Sequence, residues 1–237
     1  MRADLDVAME SAPFDLHSTQ KHVPRQLPVS LSLLSSKMND VPRLPRGLHL
    51  NFFQLLLLAI TMLQMSGQFV VFTFMGPLLK KLTEASPDAI GMVFGIYGVC
   101  GFLGVVIATR IVDTWGPYRT SLLFTCLLLA GITGWALSVG TIALMAVAVA
   151  IWGLGFASTN SMQQVRLVAA APQLASATVA LNTSVLYVGQ AVGSAIGGLL
   201  FARELLHPLG FVAVGFVVLA LVLVILTRPR AAAAATA

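Results

Sequence analysis

The chain is 237 residues long, 57% hydrophobic and only 10% charged, with a formal net charge of +5; soluble domains carry about 25% charged residues. A surface so poor in charge does not stay solvated, which excludes a water-soluble enzyme or binding module and points to a chain that crosses a membrane several times. The basic excess does not indicate nucleic acid as a partner, because the basic residues flank apolar runs instead of forming one patch.

Residues 1–49 stand apart. They hold six of the 14 Lys/Arg and five of the nine Asp/Glu, with prolines at 13, 24, 28, 42 and 45. They lack an apolar run long enough to bury a core, so a disordered cytoplasmic tail is expected there. No apolar segment follows the start at the distance a secretory signal peptide requires, so none is expected.

From Leu50 onward six apolar stretches follow one another, at about 50–76, 90–109, 120–139, 141–161, 174–202 and 209–227. Each is near or above the roughly 20 residues that an α-helix needs to cross a bilayer. The runs are continuous rather than alternating, which predicts helices and not barrel strands. The expected fold class is therefore an all-α polytopic membrane protein. A six-helix transmembrane unit occupies 50–228, and a short cytoplasmic tail occupies 229–237.

The breaks between the runs set an orientation. Segments on one side carry Arg43, Arg46, Arg110, Arg119, Arg166, Arg228 and Arg230, seven in all, against Lys80, Lys81 and Arg203, three in all, on the other. The positive-inside bias then puts both termini in the cytoplasm.

Within the first run Thr61, Gln64 and Gln68 fall at i, i+3 and i+7, on one helical face. Amides are costly against lipid, so this face should meet protein or water. Two readings stay open: a substrate-facing stripe, or interhelical hydrogen bonds contributing about 0.6–2 kcal/mol. Thr183, Tyr187, Gln190 and Ser194 form a similar stripe in the fifth run, beside a ridge of Gly189, Gly193 and Gly197. Glycine at every fourth position lets two helix backbones approach, so the ridge is read as packing. Gly95, Gly98, Gly101 and Gly104 make a comparable ridge in the second run. The third and sixth runs lack polar stripes and are expected to face lipid. Asn160, Gln163 and Gln164 sit at the cytoplasmic end of the fourth, as cavity residues or as ordinary interfacial ones.

Cys100 and Cys126 lie inside apolar runs, and no Cys/His cluster has zinc spacing, so neither a disulfide framework nor a metal site is expected. No Ser-His-Asp set or phosphate loop is present, hence no catalytic residue and no cofactor. No Asp, Glu, Lys, Arg or His falls in the middle of a run, so a group that changes charge for proton coupling would have to lie elsewhere. A weak internal repeat places Gly104 six residues before Arg110 and Gly197 six before Arg203. Matched triplets with an odd number of helices must lie in opposite senses across the membrane.

The stretch Thr109–Gly116, "TRIVDTWG", resembles the loop motif Gly-x-Leu-x-Asp-Arg-x-Gly of the major facilitator superfamily, in its second-half copy. Asp113 and Gly116 match, Ile111 replaces the leucine, and Thr109 and Thr114 stand where the glycine and arginine belong. The "LNTSVLYVGQAVGSAIGGLL" of the fifth run is similar to the eleventh helix of bacterial drug and sugar efflux members, and "GQFVVFTFMGPLL" to their seventh. The resemblance implies a carboxy-terminal six-helix half of a twelve-helix carrier, a three-plus-three inverted repeat whose first and fourth helices line a cavity. It makes Thr61, Gln64, Gln68, Asn160, Gln163, Tyr187 and Gln190 candidates for that cavity. Arg110, Asp113, Gly116 and Arg119 become a conformational loop, with Asp113 bracing one state beside a helix end. It further implies efflux of a small organic molecule by alternating access in a bacterial inner membrane. The partners would be the lipid bilayer and either a second six-helix half or a second copy. The two motif departures and the half-length favour an alternative, a non-transporting interaction protein or an inactive remnant.

Overall fold

The computed structural model describes residues 50–229. The tail expected at 1–49, and nearly all of that at 229–237, lie outside the described residues. The described chain runs through helices α1 (Phe52–Phe72), α2 (Met75–Thr83), α3 (Pro87–Leu137), α4 (Ile142–Ala170), α5 (Ala175–Ala202) and α6 (Leu206–Leu226), with no strand among the described residues. Five of these helices, all but the short α2, are long and apolar enough to cross a membrane.

Helix α3 is too long for one crossing. Its 51 residues would extend about 76 Å at 1.5 Å per residue, whereas a bilayer core is about 30 Å thick. It breaks at Gly116, whose φ of 77° and ψ of 160° fall in a region open essentially to glycine. Pro117 follows, and its missing N–H suits the first position of a new helical limb. The chain doubles back there. Gly104 before the break presses on Leu154 of α4, and Gly131 after it presses on Trp152, two residues away on the same helix. On a straight helix those glycines would stand about 40 Å apart. Both limbs therefore lie along α4, so the described chain packs as six long helical segments, in order α1, the first and second limbs of α3, α4, α5 and α6.

Backbone approach at glycine sets the packing. Gly189, Gly193 and Gly197 of α5 lie on the carbonyls of Met62, Ser66 and Val70 of α1. A Cβ added at Gly189 would stand only 2.7 Å from the Met62 oxygen. Gly104 of the first α3 limb repeats this contact against α4. Taking segments one to three onto four to six turns the contact between segments two and four into the contact between five and one. The contact of segment three with four, Gly155 against Leu128, becomes six with one, Gly67 against Val217. Segments three and six meet each other at Ala136 and Gly210. The weak repeat in the sequence thus corresponds to a repeat of contacts, the pattern of inverted triplets.

Segments three and six are more enclosed than their composition suggests. Thr120, Phe124, Leu128, Ile132 and Trp135 are buried on the second α3 limb. Leu209, Ala213, Val217, Ala220 and Val224 are buried on α6, while Val218, Val222 and Ile225 on its opposite side are exposed. A helix apolar all round offers the sequence no way to tell its packed face from its lipid face. The most exposed surfaces belong instead to α5 and the first α3 limb.

The two ends of the bundle differ in charge chemistry. At one end Lys81 Nζ meets Glu204 Oε1 and Oε2 at 2.7 and 3.0 Å, and lies 4.9 Å from the centre of the Phe201 ring. At the other, Arg119, Arg166 and Arg228 surround one cavity.

Replacing Gly116 with Ala is expected to cost about 1–3 kcal/mol, from the strained φ. Gly193→Ala should cost a similar amount, about 1–3 kcal/mol, by overpacking against the Ser66 backbone. Gly95→Ala, with nothing within 4 Å of the new methyl, should stay within about 0.5 kcal/mol. Unfolding in a lipid nanodisc measures all three.

Candidate functional site

The amide stripe of α1 turns inward. Thr61, Gln64 and Gln68 are fully buried. Thr61 Oγ1 donates to Asn182 Oδ1 of α5 at 2.7 Å, and Gln64 Nε2 donates to Thr125 Oγ1 of the second α3 limb at 3.0 Å. The indole Nε1 of Trp152 on α4 donates to Gln68 Oε1 at 3.1 Å. Three consecutive positions of one face thus reach three different segments. In this conformation the stripe links helices and does not face an open cavity.

Asn182 extends the first of these links, because its Nδ2 donates to Asn160 Oδ1 on α4 at 3.2 Å. Asn160 is half-buried, and so joins the bonded network to a partly open surface. Gln163, one turn on, is buried with its Oε1 accepting from Arg166 Nη1 at 3.3 Å. On α5, Tyr187 is exposed and Gln190 half-buried, so this part of the predicted stripe does reach the surface. The structure brings Thr61, Gln64, Gln68, Asn160 and Gln163 into the bundle interior or its edge, and leaves Tyr187 on the outer face of α5.

An aromatic cluster beside Gln68 is absent from the list of sequence candidates. The rings of Phe72 and Tyr97 lie 5.1 Å apart, Tyr97 and Trp152 5.4 Å, and Tyr97 and Phe156 5.2 Å. They come from α1, the first α3 limb and α4. The phenol oxygen of Tyr97 and Nε2 of Gln68 are buried without a hydrogen-bond partner among the described residues. Unpaired polar atoms within an apolar wall are costly, and Gln64 Oε1, Ser121 Oγ and Gln163 Nε2 are buried unpaired among the described residues as well. The half-buried rings of Phe72 and Phe156 bound this wall. Trp152 and Phe156, one helical turn apart, are the sequence signal that points to it.

The elbow residues divide. Gly116 makes the break, and Arg119 lines the neighbouring cavity of about 740 Å³ with Trp115, Tyr118 and Arg166. Arg110 and Asp113 are exposed. Asp113 forms no ion pair among the described residues. It sits in the last turn before the break, between the C-terminal end of its own limb and the start of the next at Pro117. Among the described residues no three of His, Cys, Asp and Glu gather into a potential metal site.

The bond between Gln68 and Trp152 supplies a test. A double-mutant cycle of Gln68→Leu and Trp152→Phe should show a coupling of about 0.6–1.7 kcal/mol in bilayer unfolding, the range for bonds between membrane helices. Independent effects would mean that the two side chains do not meet.

Comparison with known proteins accords with this architecture. The OpdE protein of Pseudomonas aeruginosa, described as a transcription regulatory protein, is 27% identical over 68% of this chain and 40% of its own length. The MFS-type transporter YbcL of Bacillus subtilis is 24% identical over 74% of this chain and 46% of its own. A probable sugar efflux transporter of Pasteurella multocida is 24% identical over 85% and 49%. The chain thus spans less than half the length of each of these relatives. The crystal structure of the POT family transporter PepTSo superposes with a TM-score of 0.67 at 14% identity, covering 74% of this chain and 37% of that one. At that identity the likeness speaks for the fold alone. The family model of the Major Facilitator Superfamily matches residues 57–237, well over half of the sequence, and the chain belongs to that superfamily.

Proposed function

We propose that this chain moves a small organic molecule across a cell membrane by alternating access, in the direction of efflux, as one half of a two-lobed carrier. The second lobe is another six-helix half or a second copy of the chain. The observation that carries the proposal is the uncovered face of segments two and five. On the first α3 limb Met92, Val99 and Phe102 are exposed, and built methyl groups at Gly91, Gly95 and Gly98 would meet nothing within 4 Å. On α5 Tyr187 and Val188 are exposed as well. Segments one, two and four, which carry the aromatic cluster, border this surface. The substrate would be held between that cluster and the partner lobe, with Asn160, Tyr187 and Gln190 near the contact. The probable sugar efflux transporter among the relatives supports export as the direction.

The same reading sets the orientation in a bacterial inner membrane, with both termini and the arginine-lined end in the cytoplasm. The physical basis is the positive-inside bias. Single cysteines introduced as Trp115→Cys and Ser86→Cys, in a background without Cys100 and Cys126, should label from opposite sides of the membrane. Labelling from one side would end this topology.

A second reading is a membrane protein that binds a partner without transport, and the description of its relative OpdE as a transcription regulatory protein favours it. Reconstituted vesicles separate the two readings. Efflux of a sugar or drug panel that falls about tenfold when Tyr97 and Phe156 are replaced with Ala, equivalent to about 1.4 kcal/mol, supports the carrier. Absence of flux in every pairing, with either lobe partner, supports the interaction protein.

A further inference from the structure

The cavity at the elbow end is built from four parts of the chain that are distant in sequence. Phe53 begins α1, Trp115 and Tyr118 flank the break, Arg166 ends α4, and Arg228 follows α6. Its volume is about 740 Å³, within the range of roughly 300–1,000 Å³ that holds small ligands. Arg119, Arg166 and Arg228 all line it, and no carboxylate does among the described residues.

Arg166 is the central observation. It is only 6% exposed, yet every acceptor it meets is neutral. Its Nη2 donates to Thr227 Oγ1 at 2.7 Å and to the Thr227 carbonyl at 3.1 Å, and Nη1 donates to Gln163 Oε1 at 3.3 Å. The Tyr118 ring lies 5.6 Å from the guanidinium carbon. These contacts fix the plane of the group and leave donors directed elsewhere, since a guanidinium has five N–H. The ion pair found among the described residues, Lys81 with Glu204, is at the opposite end of the bundle. A cation taken out of water without a counter-charge is costly. Two further arginines around the same cavity add to the positive potential.

We propose that this cavity is a binding site for a phosphate-bearing anion, with Arg166 as the anchoring donor and Arg119 and Arg228 as the outer clamp. Planar guanidinium groups suit phosphate oxygens through paired N–H bonds. Trp115 and Tyr118 are the aromatic types that gather where apolar chain meets headgroup, and the cavity has room for more than phosphate alone. The occupant is the headgroup of an anionic phospholipid or a soluble organic phosphate, and both present the same chemistry to the arginines.

The site is independent of the transport reading, and its test needs no transport. The full chain is placed in phosphatidylcholine vesicles, and thermal stability is followed while the fraction of phosphatidylglycerol is raised. A second arm adds glycerol 3-phosphate to vesicles of phosphatidylcholine alone. The expected result is saturable stabilisation in at least one arm. Arg119→Gln combined with Arg228→Gln, both at exposed positions, should weaken it by about thirtyfold, the effect of two arginines near a membrane surface. Lys80→Gln with Arg203→Gln removes the same charge at the other end and should leave the response as in the parent. Stabilisation by phosphatidylglycerol alone identifies a lipid occupant, and stabilisation by glycerol 3-phosphate identifies a soluble one. No stabilisation in either arm, or equal weakening by the two double variants, overturns the site.

Discussion

The structure depends on how closely helix backbones approach at glycine. In a bilayer the hydrophobic effect does not drive one apolar helix against another, because lipid tails are as apolar as leucine. What remains is dispersion between well-fitted surfaces, and this is strongest where no side chain separates the backbones. Gly189, Gly193 and Gly197 let α5 lie on the carbonyls of α1. Gly104, Gly131 and Gly155 do the same around α4. Helices α1 and α4 thereby become the two axes on which the other segments are arranged.

Once the backbones are this close, side-chain amides on α1 and α4 have little open space to face. The bonds of Gln64 to Thr125 and of Trp152 to Gln68 follow from that enclosure. They add specificity of register rather than much stability, since the alternative in a membrane is another partner and not water. The same closeness leaves Tyr97 and Gln68 with unpaired buried atoms beside half-buried aromatic rings. Gln64 Oε1 and Gln163 Nε2 are left unpaired in the same way, so close packing strands single polar atoms at the helix joints as well as beside the aromatic rings.

The elbow shows how one motif serves two purposes. Gly116 is required by the backbone, because a φ of 77° turns the chain between two limbs that must both reach α4. The residues around that turn then form one wall of the arginine-lined cavity. Asp113, the other matching motif residue, is exposed and forms no ion pair among the described residues. A bracing role for it therefore requires contacts with groups other than those that pack the described bundle.

The sequence by itself determined the class and much of the plan. Backbone groups in lipid must all be bonded, in helices or closed barrels, and six long runs that are continuous rather than alternating select helices. The glycine ridge of α5 and the arginine bias were legible for the same reason, because each follows from spacing along one chain. The tertiary structure decided which faces meet. Gln64 and Gln68 read equally well as cavity or joint until Thr125 and Trp152, 61 and 84 residues away, were brought to them. The inward side of α6 carries no polar mark, so only Ala136 and Gly67 reveal it. Arg166 reads as a topology signal, and it becomes the centre of a cavity only when α1, the elbow and the end of α6 close around it. Periodicity reports what one helix presents, while a site depends on what several helices present to the same point.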